Sequence, residues 1–370
     1  MTAASPTTVY RMAFASLQGM GVDLARKLLD VVGSEERFFS MSEKDLRALT
    51  RGRSKIYRDD YRRDRLSRAQ REEAFVREHG IVVTYFTDAG YPRRLLEAPD
   101  APAMIYTLGQ CDLESAHVVS VVGTRHATQY GIRFCDTLIG ELAQSLPDLV
   151  VVSGLAYGID IAAHRAALKH GVPTVAVLPR GLNRIYPAAH REDAIAIAKH
   201  GGMLLTDYTS QDEVLKSNFL ARNRIVAALS DCTVVVESAG SGGALVTASL
   251  AMSYNRDVMA VPGRCNDEYS MGCNKLIATN KAALITCADD LLAAMRWESA
   301  RQQPQQLDLF PDLTRDEQAV VDVIRDRGEI HLNALADALQ LPVYKLMSVL
   351  VELDCKNVIA TLPGCRYTIV

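Results

Sequence analysis

Between Ile81 and Trp297 the sequence alternates short runs of β-branched and aliphatic residues with longer segments of helical periodicity. Such runs have no polar face, so the strands that they form must be covered on both sides of their sheet. Apolar strands that alternate with helices along a chain are typical of a parallel sheet with helices on both faces. The pattern therefore predicts an α/β domain with a Rossmann-like, doubly wound and mostly parallel sheet over residues 81–297.

The elements of this domain can be placed from the same alternation. The predicted strands are, in order, IVVTYF, AMIYTLG, HVVSVVG, LVVVSG, PTVAVL, GGMLLTDY, CTVVVES, RDVMAVPG and the less regular AALIT. The predicted helices span residues 131–145, 160–170, 191–200, 214–229, 243–254 and 274–279.

The regions on either side of this domain follow different patterns. Residues 1–80 are helical, with a Gly-x-Gly turn before a helix predicted over Val22–Val32, which indicates either a helix-hairpin-helix or a plain helical packing module. Residues 298–312 are rich in Gln and Pro without a period, which predicts a linker. Residues 313–370 predict three helices, over 314–327, 332–339 and 342–354, and then a hairpin with a Pro-Gly turn. That order is typical of a winged helix-turn-helix domain.

Composition excludes several classes of protein. The net charge of −3 gives no global cationic field, so any anion site must be a local cluster. No apolar run reaches the roughly 18 residues of a membrane span, and the first residues lack the pattern of a secretory signal. The eight cysteines are scattered without a CxxC pair, which indicates reduced thiols and no zinc site. We therefore expect a cytoplasmic protein without a metal or other cofactor.

Two helical segments have a charge content that leaves their role open. The stretch RGRSKIYRDDYRRDRLSRAQR, residues 51–71, is the most basic in the chain. It is either a solvated helix face with ion pairs or a patch that neutralises a nucleic-acid backbone. The last predicted helix, PVYKLMSVLVELDCK, has few hydrogen-bond donors for a helix that reads DNA. A structural or protein-contact role is equally open for it.

Ligands of an open parallel sheet bind at the carboxyl ends of its strands, so the candidate site is formed by the residues that follow the strands. The segment NFLARNRIVAALS, which precedes the strand CTVVVES, adds further arginines. Small turns that open helices present free backbone amides, and guanidinium groups add charge, which together favour phosphate oxygens. The sequence therefore predicts a site that binds several successive phosphates of one ligand strand. The candidate residues are Gly123, Thr124, Arg125, Ser153, Gly154, Tyr157, Arg180, Arg222, Asn223, Arg224, Gly242 and Gly243.

Other interpretations of individual residues remain open at this level. Arg222 and Arg224 could pair with carboxylates such as Asp207, and Asp160 with His164 fits a structural pair at a helix start better than a catalytic one. Ser153 is not in a GxSxG elbow, so a hydrolytic triad is disfavoured. Glu237 could act as a base or orient an arginine.

The sequence resembles the DprA family, also called Smf, over nearly its whole length. The blocks that carry the resemblance are YPRRLLEAPDAPAMIYTLG, VVGTR, VVSGLAYGIDIAAHRAAL, TVAVLPRGLNRIYP, RNRIVAALS, SGGALVTASLA and AVPGRCNDEYSMGCNKLI. The resemblance implies a Rossmann-like core that binds single-stranded DNA without sequence preference and has no established catalytic activity. It also implies a homodimer that hands DNA to the RecA recombinase in natural transformation. The helical N-terminal part resembles the family's SAM-like or helix-hairpin-helix extension, and the C-terminal part its winged helix.

The resemblance also assigns roles to particular positions. Arg125 matches the family's phosphate-binding arginine, and Ser153 with Gly154 matches its SGLA turn. Arg222 and Arg224 match its RNR element, and the turn from Gly242 to Thr247 matches another binding turn. Three departures bear on the expected contacts. Tyr157 stands where many members have a basic residue and could stack on a base instead, Arg180 is a candidate to restore the lost charge, and Gly242 replaces the usual serine.

Two functions of other classes stay open beside this expectation. A weaker resemblance to lysine-decarboxylase-like enzymes, which act on nucleoside monophosphates, would require a glutamate after the glycine turn, and SAGSGGALVTA lacks it. A winged-helix transcription regulator would require a more basic recognition helix. We therefore expect a non-enzymatic DNA-binding protein.

Overall fold

The computed structural model describes residues 6–300, 313–356, 358–362 and 364–369. The chain divides into two units, Met1–Arg301 and Gln302–Val370. The predicted linker over 298–312 falls largely on residues 301–312, which lie outside the described ranges. The finer division of the first unit at residue 80 stays a prediction.

The first unit combines a helical N-terminal part with one large sheet. Its helices are α1 (Pro6–Ala15), α2 (Val22–Val32), α3 (Glu35–Ser40), α4 (Glu43–Thr50), α5 (Asp59–Glu78), α6 (Arg93–Leu96), α7 (Gln129–Ser145), α8 (Ile159–Lys169), α9 (Arg191–Lys199), α10 (Lys216–Ala228), α11 (Gly243–Ser253), α12 (Met271–Ala278) and α13 (Ala288–Met295). Its strands are β1 (Val82–Tyr85), β2 (Met104–Gly109), β3 (His117–Val122), β4 (Leu149–Ser153), β5 (Thr174–Val177), β6 (Met203–Thr206), β7 (Cys232–Val235), β8 (Asp257–Ala260) and β9 (Ala283–Leu284).

The sheet confirms the predicted mostly parallel α/β architecture. Within the described residues its strand order is β1-β2-β6-β5-β4-β3-β7-β8-β9. From β6 across the sheet to β9, each pair of adjacent strands is parallel. At the other edge, β2 is antiparallel to both β1 and β6. Strands β3, β4, β5 and β6 follow one another in the sheet in their chain order. The chain then crosses back, and β7 pairs with the other edge of β3. The carboxyl ends of β3 and β7 are therefore the topological switch point, where ligands of such sheets bind.

The central strands are buried on both faces, as their apolar runs predict. In β3, Val119 and Val121 belong to the core formed with α7, α8 and α13, whereas Val118 and Val122 belong to the core on the other face. Alternate residues of a strand point to opposite sides, so one continuous apolar run serves both cores. Each such side chain contributes about 1.5–3 kcal/mol when fully buried.

Most element boundaries agree with the sequence-based expectations to within a few residues, and the differences have local causes. Helix α7 begins at Gln129 because the Thr128 hydroxyl caps it, accepting from the Tyr130 and Gly131 N–H groups. Helices α6 and α13 were not predicted, since their short sequences show little more than one or two turns of periodicity. The predicted start of α10 at Val214 is two residues too early.

The basic stretch over residues 51–71 forms much of α5, and several of its arginines bond within the protein. Arg62 is buried and donates to the carbonyls of Phe38 and Met41. Arg68 donates to the carbonyl of Gln211, 2.8 Å away, in the loop that precedes α10. These contacts favour the structural interpretation of the stretch over a patch for nucleic acid.

The described residues of the second unit form three helices and a small antiparallel sheet. Its elements are α14 (Arg315–Arg327), β10 (Ile330–His331), α15 (Leu332–Leu339), α16 (Val343–Cys355), β11 (Ile359–Leu362) and β12 (Arg366–Ile369). The predicted hairpin is β11–β12, and the unpredicted β10 adds a third strand beside β12. Val320, Leu335 and Leu350 lie in its own buried core.

Throughout the described ranges, no single helix is both long and apolar enough to cross a bilayer. Helices α15 and α16 reach that length and apolarity only when they are taken together, across a bend of 109°.

Candidate functional site

A cleft of about 550 Å³ lies at the switch point between β3 and β7. It is bordered by the turns after β3 and β4, by α10 and by the loop that leads into α11. The predicted residues that line it are Gly123, Thr124, Arg125, Gly154, Arg222, Asn223, Gly242, Gly243 and Thr247. The structure thus brings most of the sequence-predicted site residues to one place.

The turn after β3 is held by backbone contacts on both sides. A Cβ atom on Gly123 would lie 2.4 Å from Ile159 Cγ1, so only glycine fits between β3 and the start of α8. The Thr124 N–H donates to the carbonyl of Glu237 (2.7 Å), and the Thr124 carbonyl accepts from the Ile159 N–H (3.1 Å). This fixed turn places Arg125 at the mouth of the cleft.

Arg125 is exposed, and its guanidinium lies 5.6 Å from the centre of the Phe219 ring. Within the described ranges Arg125 forms no ion pair with a carboxylate, so its charge is available to a ligand. A guanidinium beside an aromatic face presents a forked donor for phosphate next to a surface for stacking.

Helix α11 contributes its N-terminus to the cleft. Gly242 is the N-cap residue and no side chain caps the helix there. The first N–H groups of a helix have no partner within it and carry partial positive charge, which favours an anion. The Thr247 side chain is buried and its hydroxyl donates to the Gly243 carbonyl (3.1 Å), while the Asn223 amide donates to the same carbonyl (3.3 Å). Thr247 and Asn223 therefore support the turn.

Helix α10 and the segment before α9 contribute residues that the sequence analysis did not select. Lys216, Phe219 and Leu220 line the cleft from α10, and Tyr186 lines it from the segment before α9. The Tyr186 and Phe219 rings are 5.2 Å apart at 73°. The sequence feature that could have identified these residues is the placement of aromatic residues beside cationic ones in KSNFLARNR and NRIYP.

Arg222 lies at the bottom of the cleft, where its hydrogen bonds connect the residues that follow β4 with the end of β5. It is buried, and its guanidinium donates to the carbonyls of Gly154 and Val177, just beyond β4 and at the end of β5. A Cβ on Gly154 would collide with that guanidinium, so the glycine makes room for it. Burial lowers the pKa of Arg222, and the nearby Asp160 carboxyl opposes this shift. Arg222 has its hydrogen bonds inside the protein and forms the floor of the site.

The turn after β4 is held by a second set of buried groups. Burial raises the pKa of the Asp160 carboxyl, and the Arg222 guanidinium and the N–H groups of Ala156 and Gly154 oppose this shift. His164 Nε2 accepts from the Leu155 N–H (3.3 Å), and His190 donates from Nδ1 to the Leu155 carbonyl (2.8 Å). Burial lowers the pKa of His164 to about 3, which keeps its ring neutral. His164 and His190 thus hold the turn through separate hydrogen bonds to the backbone of Leu155.

Several predicted residues do not reach the cleft. The Ser153 side chain is fully buried and its hydroxyl donates to the Val121 carbonyl (2.6 Å) inside the sheet. Arg224 pairs with Asp207, which was the alternative that its sequence context left open. Arg180 lies outside the cleft lining; burial lowers its pKa, and the charge of Arg184 adds to this shift.

Two further candidates also have other roles or places. The Glu237 carboxylate accepts from both the N–H (2.9 Å) and the hydroxyl of Thr128 at the start of α7, so it neither faces a ligand as a base nor orients an arginine. Tyr157 lies in an adjoining groove between α7 and α8, where its ring and the His190 ring form an edge-to-face pair with centres 4.9 Å apart.

The cleft therefore combines exposed cations, helix N–H groups and aromatic rings. That set of groups suits a chain of phosphates with bases attached. In the described ranges no group of three or more His, Cys, Asp or Glu side chains is placed to hold a metal ion.

Comparison with known proteins gives consistent matches. The sequence model of the family described as DNA recombination-mediator protein A matches residues 82–296. The DNA processing protein DprA of Streptococcus pneumoniae is 40% identical over 208 residues, which are 56% of this chain and 71% of that protein. Its X-ray structure superposes with a TM-score of 0.64 at 31% identity, covering 79% of this chain and 98% of that one.

A solved structure of DNA processing protein A from Helicobacter pylori, described for its unique single-stranded DNA binding mode, also matches. It superposes with a TM-score of 0.52 at 30% identity and covers 58% of this chain and 95% of that one.

Proposed function

Because this chain belongs to the DNA recombination-mediator protein A family of DNA-processing proteins, we propose that its cleft binds single-stranded DNA without reading the base sequence. The observation that carries the proposal is the pairing of Arg125 with the Phe219 ring, beside the uncapped start of α11. Phosphate contacts carry no sequence information, and every base offers a face for stacking. A site built from these two kinds of contact binds a single strand and tolerates any sequence.

Each group in the cleft has a part in this binding. Arg125 and Lys216 neutralise phosphates, and the N–H groups at Gly242 and Gly243 donate to phosphate oxygens. Phe219, together with Tyr186, offers a surface for unpaired bases. Duplex DNA keeps its bases stacked inside, so it would gain only the phosphate contacts.

We propose further that the protein acts by binding and not by catalysis. Three side chains considered above as possible bases or nucleophiles have other partners within the protein. The Glu237 carboxylate is bonded to Thr128, the Ser153 hydroxyl to a backbone carbonyl, and His164 to Leu155 and Thr174.

The wider role proposed here follows from the family. It comprises a cytoplasmic homodimer that protects incoming DNA and hands it to the RecA recombinase during natural transformation. The N-terminal helices would be the family's SAM-like or helix-hairpin-helix extension, and the second unit, with three helices and an antiparallel sheet, its winged helix.

Titrations with a single-stranded oligonucleotide and its duplex at several salt concentrations test the proposal. The wild type is expected to prefer the single strand. Arg125→Ala should bind at least about tenfold more weakly, since a hydrogen bond to a charged group contributes about 1.5–3 kcal/mol. The slope of log affinity against log salt should become shallower by about 0.7, one phosphate contact.

The matched control for Arg125→Ala is Arg53→Ala, which removes another exposed arginine, on the N-terminal helical part. It should bind as the wild type does. Equal affinity of the wild type for duplex and single strand would contradict the proposal. An unchanged salt slope in Arg125→Ala would assign Arg125 a structural role.

A further inference from the structure

A second groove, of about 740 Å³, adjoins the cleft along α7 and α8. Arg125 and His126 line both cavities, so the groove continues from the mouth of the cleft. A strand that leaves the cleft past Arg125 can therefore enter this groove directly.

The floor of the groove is apolar and its rim is basic. Ile132, Ile161, Ala162 and Ala166 line the floor. Beyond Arg125, the rim carries the cations Arg133, Arg165 and Lys169 and one carboxylate, Asp136. The half-exposed Tyr157 ring lies at the same groove.

The charges of the rim differ in how they are paired. Lys169 is 2.7 Å from Asp136, and Arg165 is 2.9 Å from Asp193. Arg133 is exposed and forms no ion pair within the described ranges. Positive charge remains in excess at the groove, and Arg133 is its uncompensated cation away from the cleft. An anionic occupant is favoured.

We infer that the α7–α8 groove binds the stretch of a single DNA strand next to the nucleotides held in the cleft. The inference rests on the proposed function, which it extends. Phosphates contact the basic rim, with Arg133 as the main new contact, while bases lie against Tyr157 and the apolar floor. The positive charge suits any anionic occupant, and the continuity with the cleft through Arg125 favours a DNA strand over an acidic peptide of a protein partner.

Affinity as a function of strand length tests the inference. Thymidine oligonucleotides from about 4 to about 16 nucleotides cover the site sizes of single-strand-binding folds. With the full chain, Arg133→Ala should bind the shortest oligonucleotides as the wild type does, since these occupy only the cleft. It should bind the longest about threefold to tenfold more weakly, and with a salt slope shallower by about 0.7. Arg125→Ala should weaken binding at every length.

The outcomes separate this inference from the proposed function. Arg53→Ala is the control and should match the wild type at all lengths. If Arg133→Ala matches the wild type at all lengths while Arg125→Ala is weakened, the groove does not hold DNA, and an acidic peptide becomes the better candidate. An equal loss for short and long strands would place Arg133 in the cleft itself and overturn the inference. If the wild type binds none of the oligonucleotides, the proposed function fails as well.

Discussion

At the scale of single residues, burial separates the arginines of the candidate site into two kinds. Arg222 and Arg224 are bonded to backbone carbonyls or to Asp207, whereas Arg125 and Arg133 are exposed. A ligand can use only a charge that the protein has not already paired. The number of arginines in the sequence motifs is therefore larger than the number of phosphate contacts that the site can form.

Tyr157 gives the first prediction at this scale. It is 48% exposed, and its ring forms an edge-to-face contact with the His190 ring. If it stacks on a base, Tyr157→Ala should weaken the binding of long single strands by about 1–3 kcal/mol, because base–aromatic stacking contributes that much. Tyr157→Phe keeps the ring and should bind as the wild type does. Titration with long and short oligonucleotides measures the effect.

The thermal midpoint of both Tyr157 variants serves as the control measurement. A fall in the midpoint of Tyr157→Ala without a loss of affinity would show that the ring only fills the corner beside His190.

At the scale of elements, α5 is docked on the loop that leads into α10. The Glu72 carboxylate is buried and accepts from both the N–H (2.9 Å) and the hydroxyl of Ser210, and Arg68 exchanges hydrogen bonds with Gln211. Lys216 and Phe219 follow this loop on α10. The N-terminal helices therefore help to position one wall of the cleft.

This docking gives a prediction about stability. Glu72→Gln keeps the size of the side chain but retains only one acceptor oxygen for two donors of Ser210. It should lower the free energy of unfolding by about 1–3 kcal/mol, the cost of an unsatisfied buried polar group. Glu78→Gln on the exposed end of the same helix is the control and should change it by less than about 0.5 kcal/mol. Urea unfolding measures both, and equal stabilities would contradict a structural role for the docking.

The same elements show what the sequence could predict. The strands of the parallel sheet and the turns after them follow from local alternation, because residues 118–122 or 149–153 must be buried wherever they lie. The switch point between β3 and β7 depends on strand order, which residues far apart in sequence decide. The contact between the Phe219 and Tyr186 rings, and the internal hydrogen bonds of Arg222 and Ser153, also result from such tertiary packing. The sequence motifs indicate that these residues lie near the cleft, but they do not indicate in which direction each side chain points.

At the scale of the whole molecule, the two units carry different surfaces. All residues of the cleft and of the α7–α8 groove belong to the first unit. In the second unit, α16 exposes Val343, Tyr344, Met347 and Val351, an apolar face where a helix that reads DNA would carry donors. The proposed binding of single strands therefore requires contacts from the first unit only.

Truncation tests this assignment. A chain ending at residue 300 keeps every cleft and groove contact together with the α5 docking, so its affinity for single strands and its salt slope should equal those of the full chain. A chain that also lacks residues 1–80 loses the partners of Ser210 and Gln211 and should be less stable, with weaker binding because Lys216 and Phe219 are less well positioned. Titration of the three chains with one long oligonucleotide, combined with their thermal midpoints, makes the comparison.

Two outcomes would contradict these expectations. A shallower salt slope in the chain ending at residue 300 would mean that the second unit contacts phosphates, since each lost contact removes about 0.7 from the slope. Unchanged binding and stability without residues 1–80 would mean that the N-terminal helices do not support the cleft.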